Sequence, residues 1–151
     1  MFLKSSFHNV LPRITDGEKL LMNEIKNIVQ KDSFARYLGI TILSIGEGTA
    51  TAEMTITKDH LNGAGTAHGG AIFSLGDTVF GAASNSREGL AMAINVSISF
   101  FKAITEGKLT GVAEEISLHK KLATYVVRIF DDTSTISALF QGTVYRKDLK
   151  Y

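Results

Sequence analysis

Hydrophobic and polar residues change their spacing several times along the chain. Residues 1–14 show no clear period and read as a loose or docking arm. Thr15 and Glu18 have the spacing of a capping box. After them Leu21, Ile25, Ile28 and Val29 recur on one face of a helix, opposite Lys19, Glu24, Lys26 and Asn27. Ser33 is placed to cap a further turn, FARYLG, that Gly39 closes. From Ile40 the period falls to two. Residues 40–45 are apolar-rich, Gly46-Glu47-Gly48 is a turn, and TATAEMTIT alternates with Ala50, Ala52, Met54 and Ile56 on one side. This predicts a hairpin. Four later strands are predicted at 94–102, 108–117, 122–130 and 135–147. In the first of them Ile94, Val96, Ile98 and Phe100 alternate with Asn95, Ser97 and Ser99.

One helical stretch, about 69–86, separates the hairpin from the later strands. Ile72, Leu75, Val79, Ala82 and Ala83 form its apolar stripe, and most other positions are tiny, including Gly69, Gly70, Gly76 and Gly81. Glycine costs a helix about 1 kcal/mol relative to alanine, so several in one helix need a compensating reason. Close packing supplies it: a sheet wrapped around this helix, or a second helix alongside. Strand pair, central helix, four strands and an extra N-terminal helix make an α+β fold with an antiparallel sheet. Residues 1–32 form the arm and first helix, and 33–151 a single domain.

The chain has 151 residues and a net charge of +1. That charge argues against nucleic acid as the main partner. Cysteine is absent, which excludes disulfide frameworks, thiolate nucleophiles and cysteine-ligated zinc. No apolar run has the length of a signal peptide or a membrane helix, so a cytoplasmic protein without a membrane partner is expected.

Candidate chemistry concentrates in one segment. His60, Asn62, His68, Gly69 and Gly70 precede Asp77, which lies inside the central helix. Aspartate forms helices poorly and is rarely buried unpaired. Its helical neighbours Phe73, Ser74, Phe80 and Gly81 do not make a charged surface, so a carboxylate held in a cleft, as general base or nucleophile, is one reading. The other is an aspartate bonded to backbone or facing solvent. Gly69 and Gly70 open the helix, where free N–H groups can hold a carbonyl oxygen or an oxyanion. Eight helical residues span about 12 Å, so Gly69 and Asp77 of one chain cannot meet at one carbon. Two antiparallel helices related by a two-fold axis could bring one chain's N–H to the other's carboxylate. The spacing of His60 and His68 matches no common metal site, and none is expected. His68 reads as a loop-orienting group. Asn62 starts a turn and is also a possible amide donor to a substrate carbonyl.

The stretch beginning at Asn62, NGAGTAHGGAIFSLGDTVFGAASNS, resembles the signature of the hotdog-fold acyl-CoA thioesterases of the PaaI-like, phenylacetate-pathway group. ISFFKAI and the final FQGTVYRK resemble strands of that family, so the likeness covers about residues 33–148. It implies a sheet wrapped round the central helix, dimers joining sheets edge to edge, frequent tetramers, and cofactor-free hydrolysis of acyl-CoA to acid and CoA. By this resemblance the catalytic aspartate falls on Asp77 and the oxyanion N–H on Gly69. Asn62 and His68 would orient the thioester or the water. Gly70 would line the substrate site. Lys102, Arg146 and Lys147 would meet CoA phosphates by charge and strand-end position. Where some relatives carry a serine or threonine after the helix, this chain has Ala93, with Ser97 and Ser99 further on. A non-catalytic acyl-CoA sensing module is the alternative. A hotdog hydratase fits less well, because its usual histidine and glutamate pair is not on this helix.

Overall fold

A computed structural model describes residues 15–87 and 89–147. The order is α1 (Asp16–Lys31), α2 (Ser33–Tyr37), β1 (Thr41–Gly46), β2 (Thr49–Thr55), a 3-10 turn (Lys58–His60), α3 (Gly69–Ser84), β3 (Leu90–Phe100), β4 (Lys108–Leu118), β5 (Leu122–Phe130) and β6 (Ile136–Lys147). The six strands form one antiparallel sheet in the order β1-β2-β4-β5-β6-β3. The β2–α3–β3 passage carries the chain from one side of the sheet to its far edge. The helix crosses the inner face, lying over β2, β4 and β5.

The inner face is built by the period-two pattern. Ala50, Ala52 and Met54 of β2, Tyr125, Val127 and Ile129 of β5, and Ala138, Phe140 and Val144 of β6 are all buried. Against them α3 buries Ile72, Leu75, Val79, Phe80, Ala82 and Ala83. The small residues set how closely the two layers approach. A Cβ at Gly76 of α3 would stand 2.9 Å from the Phe140 ring, and one at Gly142 of β6 would stand 2.6 Å from the Phe80 ring. Phe80 meets Tyr125 edge-on at 5.8 Å and Phe140 at 5.6 Å between ring centroids. Such pairs add about 0.5–1.5 kcal/mol each beyond simple burial. The sheet thus wraps the helix as expected, with a ring on each layer seated over a glycine on the other.

The segment after α3 is tied down by polar contacts. The Arg87 guanidinium forms a bidentate pair with Glu115 on β4, at 2.9 and 3.0 Å, and also pairs with Glu47 in the first hairpin turn. The Tyr125 hydroxyl donates to the same Glu115 carboxylate at 2.8 Å. Ser86 Oγ accepts from the Gly48 N–H at 2.7 Å.

Several sequence expectations change in detail. The cap of α2 is Asp32, not Ser33: its Oδ1 accepts from the N–H groups of Phe34 and Ala35. Gly39 closes that turn at φ +68°. On α1, Ile25 enters the core but Ile28 is 68% exposed, so the expected stripe is not wholly inward. The side chains of Glu18, Leu21 and Val29, on which the capping box and stripe partly rest, lie outside those described, as does the arm of residues 1–14. The central helix ends at Ser84, and β3 starts at Leu90 rather than residue 94. A bulge between Ala93 and Asn95 shifts the alternation. Consequently Ala91, Val96 and Ile98 pack on the core and Ile94 is 59% exposed, while Phe100, at the end of the strand, is 50% exposed. Among the described residues β3 pairs only with β6, which leaves its outer edge open. Among the described residues, no helix is long and apolar enough to cross a membrane.

The ring-over-glycine contacts give a sharp contrast. Gly142→Ala forces a methyl into the Phe80 ring and should cost about 1–3 kcal/mol. Gly81→Ala on α3 meets nothing within 4 Å. It should be neutral or stabilising by up to about 1 kcal/mol through helix propensity. Thermal denaturation of both variants checks the pair; equal melting temperatures would contradict the packing described.

Candidate active site

The loop before α3 is fixed by its own backbone. The Thr57 N–H donates to His60 Nδ1 at 3.1 Å, and the His68 N–H donates to the His60 carbonyl at 2.7 Å. Asn62 closes the intervening turn: its Oδ1 accepts from the N–H groups of Ala64 and Thr66, and its Nδ2 donates to Thr66 Oγ1 at 2.9 Å. Gly65 completes the turn at φ +76°, a conformation that suits glycine. His60 is buried, and its ring braces the loop.

This loop delivers His68 as the cap of α3. Its Nδ1 accepts from the Gly70 N–H at 2.8 Å. A neutral imidazole that accepts at Nδ1 carries its proton on Nε2, which leaves a donor on the exposed side of the ring. Gly69 is then the first helical residue. The His68 carbonyl accepts from Ala71 and Ile72, and no acceptor meets the Gly69 N–H among the described residues. A first-turn N–H has no partner within its own helix. Gly69 is not in the left-handed region. A Cβ there would stand 3.1 Å from Phe100 Cζ. A side chain at Gly69 would therefore press on Phe100.

Two turns further on, Asp77 is exposed, with no hydrogen-bond or ion-pair partner among the described residues. It lines a cleft of about 610 Å³ together with His60, His68, Gly70, Phe73 and Ser74. It also lines a second cleft of about 510 Å³ between α1 and α3. The carboxyl is open to solvent only through the clefts; its partial withdrawal from water between the packed elements raises its pKa above the usual carboxylate value, and the nearby Asp32 charge raises it further. Both effects make the carboxylate a better proton acceptor. Asp32 lines both clefts as well. Sequence reasoning missed it, because helix capping and proximity to Asp77 meet in one residue only after folding.

The other expected residues are more dispersed. Asn62 does not line either cleft, and its side chain is engaged in its own turn. Lys102 pairs with Asp131 in the β5–β6 turn and holds that carboxyl well below its ordinary pKa. Arg146 donates to the His119 carbonyl at 3.1 Å. Arg146 lies opposite Ala91 and Lys147 opposite Leu90 in the β3–β6 register, whereas Lys102 follows the far end of β3. About 35 Å of strand separates these two basic groups within one chain.

The chain is similar to proteins of one family. Residues 64–138 match the family model described as Thioesterase superfamily. The acyl-coenzyme A thioesterase PaaI of Escherichia coli is 37% identical over 78% of this chain and 84% of its own length. A protein of Archaeoglobus fulgidus, provisionally named an esterase, is 44% identical over 87% of both chains. The structure of E. coli PaaI superposes with a TM-score of 0.81 at 32% identity, over 89% of this chain and 96% of that one. A Thermus thermophilus PaaI variant superposes with a TM-score of 0.74 at 36% identity, over 77% of this chain and 100% of that one. The unpartnered helix carboxylate, the open helix N-terminus and the helix-wrapping sheet thus occur in a chain that belongs to the thioesterase superfamily, in its PaaI-like hotdog group, and is a thioester-hydrolysing enzyme.

Proposed function

We propose that the protein hydrolyses acyl-CoA to a carboxylic acid and CoA, with Asp77 as general base and the Gly69 N–H of the neighbouring subunit as oxyanion donor. The observation that carries this reading is Asp77, a carboxylate with a raised pKa and no partner among the described residues, on a helix otherwise given to packing. Water held at Asp77 attacks the thioester carbonyl carbon while the carboxylate takes its proton. The carbonyl oxygen becomes an oxyanion, held by the N–H at the start of α3 and by that helix's dipole. The C–S bond then breaks. CoA leaves as thiolate and receives the proton from Asp77. His68 presents Nε2–H at the same helix end and orients the thioester. Asn62 acts through the loop that seats His68.

Two chains are required because α3 is a regular helix between Gly69 and Asp77, about 12 Å of axial rise. The open edge of β3 supports the pairing. Two copies joined antiparallel along that edge would set the Phe100 end of one chain beside the Leu90 end of the other. The same operation brings Lys102 of one chain toward the partner's Arg146 and Lys147, which are too far apart within one chain to meet one CoA. The assembly is a homodimer, or a homotetramer built from it, working in the cytoplasm without metal or other cofactor.

Asp77→Asn should lower kcat about 10²-fold or more, measured by thiol release. A carboxyl whose pKa is raised by folding stabilises the fold at low pH and loses that contribution as pH rises through the raised value. The same variant should therefore melt above wild type at neutral pH, and the gain should vanish below about pH 3.5. Unchanged kcat would remove Asp77 from the mechanism.

Asp32→Asn keeps a capping side chain but deletes a charge beside Asp77. The acid limb of the kcat/KM profile should move to lower pH, with stability preserved. A limb that stays in place would show that the titrating group is not Asp77.

Proline fits the first helical position, and the preceding residue His68 has the extended ψ of 133° that proline requires. Gly69→Pro therefore removes the N–H and keeps the helix start, with the half-exposed Phe100 ring giving way by a few tenths of an ångström. A loss of about 10²–10³ in kcat is expected. Mixed with Asp77→Asn, it should recover about a quarter of wild-type activity, since half the dimers are mixed and each holds one intact site. No recovery despite proven subunit exchange would place both groups in one chain's site.

A further inference from the structure

A thioester has two arms, and two clefts meet at Asp77. The cleft toward the start of α3 offers polar groups on His60, His68 and Ser74. The other runs toward the C-terminal end of α3, between that helix and α1. Its walls are Ile25 and Ile28 of α1, Gly81 and Ala82 of α3, and Leu90 at the start of β3. Asn85 stands at its far end, but its Nδ2 donates to the Gly81 and Ala91 carbonyls and its Oδ1 accepts from the Ala91 N–H. The charged groups lining this groove, Glu24, Asp32 and Asp77, are all acidic. It therefore does not suit a phosphate or another anionic group.

We infer that the groove between α1 and α3 holds the acyl group, so that residues of α1 set which acyl groups are accepted. This rests on the thioesterase reading above. Three observations carry it. The groove is continuous with Asp77, the point from which the acyl group must depart. Its volume of about 510 Å³ is in the range of sites that enclose drug-sized ligands, far beyond what an acetyl group fills. Ile28 presents its side chain beside the groove with 68% of its surface exposed, an apolar wall that an acyl chain would cover. Gly81 lies one turn beyond Asp77 on the same face, and a Cβ there would point into open space. Glycine at that position keeps the groove open next to the reacting carbon.

The test fills the groove from that side. In a helix a leucine at position 81 leans back toward the preceding turn, over Asp77's side of the groove. Thioester hydrolysis is measured with acetyl-, octanoyl- and benzoyl-CoA in wild type, Gly81→Leu and Ile28→Asp. Ile28 is exposed, so its replacement spares the core if the leucine variant fails to fold. In each variant the octanoyl-to-acetyl ratio of kcat/KM should fall at least about tenfold, the scale on which apolar pockets discriminate. Calorimetric binding of a non-hydrolysable octanoyl-CoA thioether, compared with its acetyl counterpart, should show the same change in chain-length preference.

A uniform change across the acyl groups in both variants would overturn the inference. A change in oligomeric state with acyl preference intact would do so too, since the groove would then be a contact between copies. If wild type hydrolyses no thioester, the catalytic reading fails. The groove assignment still stands or falls on the binding comparison.

Discussion

The distance between the central helix and the sheet governs the site. Gly76 of α3 admits the Phe140 ring and Gly142 of β6 admits the Phe80 ring, at separations where a single methyl would collide. Interiors pack at crystal-like density, so this interlock fixes the rotation of α3 about its axis as well as its height above the sheet. With Leu75, Val79 and Phe80 turned inward, Asp77 has one direction left: away from the sheet, into the clefts. Among the described residues, the carboxylate is presented by the packing of its neighbours and by no bond of its own.

Both ends of the helix are fastened as well. His68 caps the start through Gly70, and the preceding N–H, that of Gly69, meets no acceptor among the described residues. Asn85 bonds back to the last turn and to β3, and Arg87 clamps the following segment to Glu115 and Glu47. Preorganised donors and acceptors reduce the reorganisation needed during reaction. Here that rigidity comes from the loop before the helix and from the ion pair after it.

Much of this was legible in the residues. The hairpin of β1 and β2, the glycine-rich central helix and the four following strands could be traced from spacing alone, because buried positions obey the period of their backbone. The oddness of Asp77 was visible for the same reason: it breaks the composition of its own helix. Features that depend on three dimensions were not visible. The bulge at Ile94 reverses an alternation that looks unbroken in sequence. The role of Asp32 arises only when the end of α1 folds over α3. Asn62 offers an amide in sequence, but its own turn takes up the oxygen and one donor before any ligand could. Lys102, Arg146 and Lys147 are alike in charge, and only the strand register shows how far apart they lie.

The bare edge of β3 has a further consequence, for the life of the polypeptide before it assembles. An unpaired strand running from Leu90 to Phe100, with Met92 and Ile94 turned to solvent, is a template for any other extended chain. It carries no proline and, between those limits, no charged side chain to deter a wrong neighbour. A lone subunit would be adhesive, and inactive as well if the site is built from two chains. Pairing with its own kind would then serve proteostasis as much as chemistry, and a cell making too little of this protein to keep it assembled would lose activity faster than it lost polypeptide.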